Sequence, residues 1–341
     1  MVHLTKAHDE LYKRSPDETF DSLESLTRHC REEKEASTEL WHAPEIISPQ
    51  VGGDEVQLQL GHDGSFAMNH WSFSQLCGLS GVSKETVNIL SPETASQVLL
   101  ETKPHGSKPL QLLTTQDRVR AIHGTQYSRL WNVDLLNAVQ EAAPDFQPPQ
   151  TAFNGGTGLY CGEQDLFTFL IDPAGWIEIE GEAFAPGFFI WNSEVGKRSL
   201  GVQTFWFQKI CQNHIVWDAV EVVEYHRRHT GNIRESLTEI QTIIERLVQK
   251  RDARKDGFAT VLQKAMQERV GDAEETTKFL FKHGISRSLV TRAVKQIGDS
   301  GKEFSLWTLV DVLTQLTQEV SYAGARNEMD TKISQLLSLA M

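Results

Sequence analysis

Cysteine is scarce in this chain, and Cys30, Cys77, Cys161 and Cys211 stand far apart without a Cys-x2-Cys pair. Disulfide frameworks and zinc modules usually need closely spaced cysteines, so this distribution is typical of free thiols in a reducing compartment. No run approaches about eighteen consecutive apolar residues, which argues against a membrane span. The N-terminus also lacks the apolar core of a secretory signal. We therefore expect a cytoplasmic protein.

Positive charge is in deficit as well, because 33 Lys and Arg stand against 46 Asp and Glu, a net charge of −13. The deficit is uneven. Residues 1–193 carry −15, whereas residues 194–296 carry +5. Electrostatic potential is local and is screened within about 10 Å, so an acidic protein can still present a basic surface to nucleic acid.

Aromatic residues are concentrated in one stretch, Ala183–Trp217, where two hydrophobic runs flank a polar turn. The spacing predicts strands over Phe184–Trp191 and Gly201–Cys211, with apolar side chains on both faces of the second. A strand that is apolar on both faces lies inside a sheet that is covered on both sides. After Ala219 the pattern is helical to the end of the chain, with one long helix over Ser236–Lys255.

The predicted fold class is therefore α+β, with an antiparallel sheet in the central region, flanking helices and a helical C-terminal bundle. An N-terminal helix is expected after the Ser15-Pro16 capping signal, with Phe20, Leu23 and Cys30 on one stripe. We divide the chain into an N-terminal helical segment (1–45), an α+β central domain (46–230) and a helical C-terminal region (231–341).

Several sequence blocks, taken in order, resemble the family called domain of unknown function 932, which is found in phage- and plasmid-like proteins. They are FSQLCGLSGVS (Phe73–Ser83), VRAIHGTQYSRLWN (Val119–Asn132), WNSEVGKRSL (Trp191–Leu200) with FQKICQN (Phe207–Asn213), and LWTLVDVLTQLT (Leu306–Thr317). The resemblance spans most of residues 60–335. It implies a mobile-element or DNA-maintenance setting and carries no established reaction.

The chain departs from that family at a few positions. His214 stands where the family has Gly, Gly124 where it often has Ser, and Asp311 and Gln315 replace its Asn-Ala helix pattern. No role is carried over to these positions. A relation to single-strand annealing recombination mediators, which also build a sheet backed by a helix, is a hypothesis that this resemblance raises.

Two sets of cationic and aromatic residues form the predicted nucleic-acid interface. Single strands bind where cations follow the phosphates and rings stack on the bases, at about 1–3 kcal/mol per stacked base. Lys and Arg in a hairpin turn reach beyond the sheet and suit phosphate contact. The ten residues are Arg118, Arg120, Tyr127, Arg129, Trp131, Lys197, Arg198, Lys209, Arg227 and Arg228.

Two further basic segments are alternatives for the same role. Arg246, Lys250 and Arg254 would share one stripe of the long helix, with Arg251 and Lys255 beside it. Residues 275–298 have the spacing of a helix-turn-helix, but such corners are common in helical bundles that bind no DNA.

Patterns that would indicate a metal or an enzyme are incomplete. Cys211, His214, His226 and His229 give a Cys-x2-His-x11-His-x2-His spacing, but an odd separation on a strand places Cys211 and His214 on opposite faces. A nuclease set of Asp165, Asp172, Glu178 and Glu180 lacks the usual following lysine. We therefore predict no metal and no cofactor.

The leading functional prediction is non-enzymatic binding or annealing of single-stranded DNA, in recombination or replication of a phage- or plasmid-like element. A homo-oligomer is expected, because exposed sheet edges invite pairing with a neighbour. The alternative is a protein-interaction or anti-defence factor with an acidic N-terminal half. A metal-dependent nuclease is the third reading.

Overall fold

The computed structural model describes residues 10–149, 158–217 and 224–341, which form two mainly antiparallel sheets and a helical C-terminal cluster. This confirms the predicted α+β class. Its strands are β1 (Glu18–Thr19), β2 (Ser37–His42), β3 (Ile47–Gly52), β4 (Glu55–Leu60), β5 (Ser65–Met68), β6 (Leu110–Thr115), β7 (Arg118–His123), β8 (Leu159–Cys161), β9 (Leu166–Ile171), β10 (Ile177–Ile179), β11 (Glu182–Asn192), β12 (Leu200–Gln208), β13 (His214–Ile215) and β14 (Glu224–Arg227). Its helices are α1 (Leu23–Glu35), α2 (His70–Leu79), α3 (Lys84–Val87), α4 (Pro92–Thr102), α5 (Asn132–Ala142), α6 (Glu235–Gln249), α7 (Arg251–Gln267), α8 (Ala273–Lys282), α9 (Arg287–Ser300), α10 (Leu306–Thr317) and α11 (Ala323–Ser334).

The larger sheet, sheet A, runs in the order β1-β8-β9-β11-β12-β13, with β10 on β11 and β14 on β12. Its centre is the β11–β12 hairpin, in which Phe184 pairs with Gln208 and Trp191 pairs with Gly201. The small residue at 201 is required, because a Cβ there would overlap the Trp191 ring. The two predicted aromatic strands are therefore the middle of this sheet.

Sheet B runs in the order β2-β6-β7-β5-β4-β3 and is antiparallel except where β5 lies parallel to β7. Asp63 and Gly64 lie in the turn that connects β4 to β5, in which the amide of Leu60 donates to the carbonyl of Gly64 at 2.9 Å. The strands β2 and β3 are the edges of this sheet.

The N-terminal prediction needs correction. The first helix, α1, begins at Leu23 with Ser22 as its N-cap, and it does not begin after Ser15. Residues 18–19 instead pair with β8 as a strand of sheet A. The segment 37–42 pairs with β6 of sheet B. Residues before and after α1 therefore join the two sheets.

Both faces of β12 are buried, as predicted, and most of β11 is buried as well. On one face, Phe188 and Val202 pack with helices α1, α5 and α6, and Trp206 packs with the C-terminal helices. On the other face, Phe189 and Phe205 belong to a cluster of aromatic rings that α11 joins through Ala323. Period-two alternation of large apolar residues on a central strand explains this arrangement.

The C-terminal part departs from the prediction in two places. The chain is not helical throughout after Ala219, because β14 pairs with β12. The long helix is also divided, since α6 ends at Gln249 and α7 begins at Arg251. In the described ranges, no helix combines the length and the apolar character needed to cross a bilayer.

Candidate nucleic-acid interface

The first predicted set is largely a buried junction between the two sheets. On β7, Arg120 places Nη2 at 3.1 Å from Glu33 of α1 and at 3.2 Å from Glu194, which follows β11. The Glu194 side chain is 1% exposed, and its second oxygen accepts from the backbone N–H of Asn132 at 2.7 Å. Burial raises the pKa of Glu194, and the Arg120 charge opposes that rise.

Arg129 is part of the same junction. Its Nε lies 2.7 Å from a carboxylate oxygen of Glu39 on β2, and its Nη1 donates to the carbonyl of Glu194. With both guanidinium groups buried and paired with carboxylates, Arg120 and Arg129 join sheet B to the β11–β12 turn. Neither is placed to contact a phosphate.

Tyr127 is also engaged within the protein. Its ring stacks on His123 at 3.6 Å and faces His229 at 5.5 Å, while its hydroxyl donates to the carbonyls of Ser193 and Glu194. Burial lowers the pKa of His123 to about 3 and of His229 to about 4. These imidazoles are therefore neutral near pH 7. Trp131, which precedes α5, stays half-buried with Lys34 at 5.8 Å from its ring.

The turn between β11 and β12 positions the second predicted set. Ser193 accepts from the N–H of Lys197 at 2.8 Å, and Gly196 has φ of +72° in the left-handed region that a glycine adopts without strain. This tight turn projects Lys197 and Arg198 from the end of the central hairpin. The hairpin turn that the sequence predicts here is confirmed.

The two cations of this turn have different surroundings. Arg198 places Nε at 2.7 Å from Asp165 and Nη1 at 2.7 Å from Glu328 of α11, so its charge is compensated. Lys197 is exposed, and its Nζ lies 4.8 Å from the centre of the half-buried Trp71 ring. Within the described ranges, no carboxylate forms an ion pair with Lys197.

A local positive potential surrounds Lys197. Partial desolvation lowers the pKa of Lys197, and the charges of Arg198, Arg14 and Lys84 lower it further, against the effect of Asp165. The neighbouring Glu163 lies within electrostatic reach of Arg14, Arg118 and Lys84. We call Lys84, Arg118 and Lys197 the cationic patch; in the part of the chain that the structure describes, none of the three is ion-paired with a carboxylate.

A cleft opens beside the turn on the aromatic side of sheet A. It has a volume of about 450 Å³ and is lined by Phe167, Trp191, Lys197, Arg198 and Gln203, among others. The Arg198 guanidinium lies 5.5 Å from the Phe167 ring. The cleft therefore combines ring surfaces with one uncompensated ammonium group at its rim.

The remaining predicted cations are dispersed. Lys209 lies at the far end of β12, 5.7 Å from the Trp176 ring. Arg227 of β14 is 3.9 Å from Glu239, and Arg228 next to it is exposed. Strand β12 begins at Leu200, next to the Lys197 turn, and ends at Gln208, next to Lys209. At about 3.3 Å per residue, Lys209 therefore lies roughly 25 Å from the turn.

The alternative basic helix is not one surface. Lys250 is the junction of α6 and α7, which interrupts the predicted stripe. Arg251 pairs with Asp172, and Arg254 is buried with its guanidinium 5.9 Å from the Trp206 ring. The helices of the predicted helix-turn-helix are present as α8 and α9, with Gly284 between them.

The two incomplete chemical sets do not converge. His214 pairs with Phe207 and His226 pairs with Gly201, so six residues of β12, roughly 20 Å, lie between the histidines. In the nuclease set, Asp165 is held by arginines 14 and 198, and Asp172 by Arg251. Both aspartates are thus engaged in ion pairs.

Sequence reasoning missed Arg14, Trp71 and Lys84. They come from the N-terminal segment, α2 and α3, and no local motif marks them. Lys84 contacts His70, the residue before Trp71. Tertiary packing therefore brings Lys84 close to the Lys197 turn, although the two lysines are far apart in the sequence.

Comparison with protein-family models, with curated proteins and with solved structures finds no match to this chain.

Proposed function

We propose that this protein binds single-stranded DNA without catalysing a reaction, at the cationic patch beside the Trp71 ring. The observation that carries the proposal is Lys197, which is exposed, has no ion-paired carboxylate in the described ranges and lies over an indole ring. A phosphate would take up the charge of Lys197. A neighbouring base would then stack on Trp71, a contact worth about 1–3 kcal/mol.

Electrostatics supports an anionic ligand here despite the net charge of −13. Two carboxylates beside the turn, Asp165 and Glu328, are engaged with Arg198. Because screening limits charge effects to about 10 Å, distant acidic residues contribute little at this position. Partial desolvation is the main cause of the lowered pKa of Lys197, and the charges of Arg198, Arg14 and Lys84 add to it.

The proposed biological setting is recombination or replication of a phage- or plasmid-like element, and it rests on the resemblance described above. An oligomer would align several patches along one strand. The edge strands β2 and β3 carry exposed Trp41 and Val51 and are the surfaces on which such an assembly is expected.

Fluorescence anisotropy of a labelled oligothymidine, measured over a salt series without metal, tests the proposal. We compare the wild type with Lys197→Glu and with Lys108→Glu, a matched reversal at an exposed lysine before β6. Each phosphate contact to a single strand contributes about −0.7 to the slope of log K against log salt. Lys197→Glu should weaken binding and flatten the slope by about that amount, whereas Lys108→Glu should do neither.

Trp71 provides a second readout. Trp71→Ala should weaken binding by about tenfold, in line with the loss of one stacked base, and Trp71→Phe should restore most of the affinity. Equal affinity of the Lys197 and Lys108 variants, or no binding by the wild type at low salt, would refute the proposal. A co-purifying protein in that case favours the interaction-factor reading, and Mg²⁺-dependent cleavage of the oligonucleotide favours the nuclease reading.

A further inference from the structure

A second cleft lies beside the sheet junction, between α1, the β1–β8 edge and the β6–β7 turn. It has a volume of about 400 Å³. Its charged lining consists of four carboxylates against two guanidinium groups and the imidazole of His29. The hydrogen bond to Cys161 raises the pKa of His29 to about 9, so the cleft carries a net charge of about −1 near pH 7. The carboxylate and guanidinium residues are Glu18, Glu33, Asp117, Glu163, Arg118 and Arg120. A net negative cleft suits a divalent cation and not a phosphate.

Three different ligand types converge inside this cleft. His29 and Glu33 lie one turn apart on α1, which places both side chains on the same helix face. Cys161 ends β8, and its sulfur, an imidazole nitrogen of His29 and a carboxylate oxygen of Glu33 all lie within 4.8 Å of one another. In the described ranges, this is the one such group of metal-binding residues.

The separation is close to what a metal ion requires. Zinc binds sulfur at about 2.3 Å and nitrogen or oxygen at about 2.0–2.2 Å, so tetrahedral ligand atoms stand about 3.3–3.8 Å apart. Contraction from 4.8 Å needs shifts of about 1 Å, which side-chain rotations of His29 and Glu33 can supply, since both are only half-buried.

The surroundings already orient the ligands. Arg120 donates to one Glu33 oxygen at 3.1 Å, in the way that second-shell groups fix ligating carboxylates. The His29 ring packs on Phe20 at 5.0 Å. Arg120 lines the cleft, and its buried Nη1 has no hydrogen-bond acceptor among the described residues, which leaves it available to an oxygen ligand on the ion.

We propose that His29, Glu33 and Cys161 bind one divalent transition-metal ion of the zinc type, with the fourth position open to the cleft. A soft thiolate together with an imidazole selects zinc-type ions over Mg²⁺ or Ca²⁺. Three protein ligands and one open position are the arrangement of catalytic zinc sites. Binding replaces the thiol proton of Cys161 and the proton of the His29 imidazolium, whose pKa is raised to about 9, and both protons pass to solvent. None of the three ligands belongs to the cationic patch, although Arg118 of that patch lines the same cleft.

Co²⁺ titration of the reduced, metal-stripped full-length protein tests the site, because thiolate-bound Co²⁺ gives a charge-transfer band. We compare Cys161→Ser, His29→Gln and, as a matched control, Cys211→Ser, which removes the thiol of the metal pattern read from sequence. The expected result is one Co²⁺ per chain, with the band lost in Cys161→Ser and retained in Cys211→Ser. His29→Gln should weaken Co²⁺ binding by about tenfold or more, and added Zn²⁺ should displace the band.

His29→Gln also keeps the test decisive if Cys161→Ser does not fold, because His29 is half-buried and its loss leaves the β8 core intact. Circular dichroism confirms that each variant is folded. No band in the reduced wild type, a band that survives Cys161→Ser, or a band lost in Cys211→Ser would overturn the proposal. The thiols of Cys30 and Cys161 are hydrogen-bonded to each other and could instead form a disulfide. The proposal would also be overturned if the mass of the purified protein shows that disulfide and the reduced protein binds no Co²⁺.

Discussion

Replacement of Glu194 by Ala should be among the most destabilising single changes in the chain. The Glu194 side chain is 1% exposed and pairs with Arg120, which is 7% exposed. Removing one partner of a buried ion pair costs about 3–5 kcal/mol, because the other charge stays desolvated. The change also removes the acceptor of the Asn132 N–H at the start of α5. Since Glu33 still compensates part of the Arg120 charge, we expect about 3–4 kcal/mol.

A second carboxylate on the same arginine provides the control. Glu33 is 24% exposed and lies 3.1 Å from Arg120, so Glu33→Gln breaks a solvent-accessible pair and should cost about 1 kcal/mol or less. Urea unfolding followed by both tryptophan fluorescence and circular dichroism measures the two variants. Coincident transitions with unchanged m values are required for the comparison.

A double-mutant cycle isolates the interaction itself. Arg120→Met combined with Glu194→Ala removes both charges, and the double variant should lose about 2 kcal/mol less than the sum of the two single losses. Additive losses, or a Glu194→Ala cost near that of Glu33→Gln, would refute the reasoning. The two sheets would then be joined by apolar packing, and the buried charges would be unimportant.

Three further outcomes follow from the structure. Burial lowers the pKa of His229 from about 6.5 in the unfolded chain to about 4 in the folded state. The buried neutral imidazole therefore contributes stability above pH 6.5 that is lost as the pH falls toward 4. His229→Gln should reduce this loss by about 3 kcal/mol, measured by urea unfolding at pH 7 and at pH 4. Burial raises the pKa of Asp330 from 3.8 to about 6, so the folded state loses stability as the pH rises from about 4 through 6. Relative to the wild type, Asp330→Asn should gain about 2 kcal/mol between pH 4 and pH 7 by the same measurement. A Cβ at Gly201 would overlap the Trp191 ring, so Gly201→Ala should cost about 2–3 kcal/mol, whereas Gly298→Ala in α9, with open space around it, should be neutral or stabilising in thermal unfolding.

Sequence patterns predicted those elements whose formation depends on near neighbours. The predicted strand Phe184–Trp191 agrees closely with β11 (Glu182–Asn192), because apolar periodicity directly reports which face is buried. The second predicted strand, Gly201–Cys211, is three residues longer than β12 at its C-terminal end. Helix starts were less accurate. Ser15-Pro16 resembles a capping signal, yet Ser22 caps α1, and the pairing of residues 18–19 with β8 prevails over the local preference.

The candidate sites depend on contacts that no local pattern contains. Arg120 and Lys197 are both cations near aromatic residues in the sequence, so a local pattern does not distinguish them. In the structure, Arg120 pairs with the buried Glu194, whereas Lys197 lies over the Trp71 ring. Likewise, His29 and Cys161 are 132 positions apart, and they meet because β1, which directly precedes α1, pairs with β8.

By itself, the sequence determined the α+β class, the central aromatic hairpin and its polar turn, because side-chain alternation and turn residues act over a few positions. The tertiary structure alone decided which cations are neutralised, which stay available to an anion, and which thiol faces an imidazole. Those properties depend on distances between segments that are far apart in the sequence. The neighbours and the solvent exposure of a charged group determine whether it is paired within the protein or can bind a ligand.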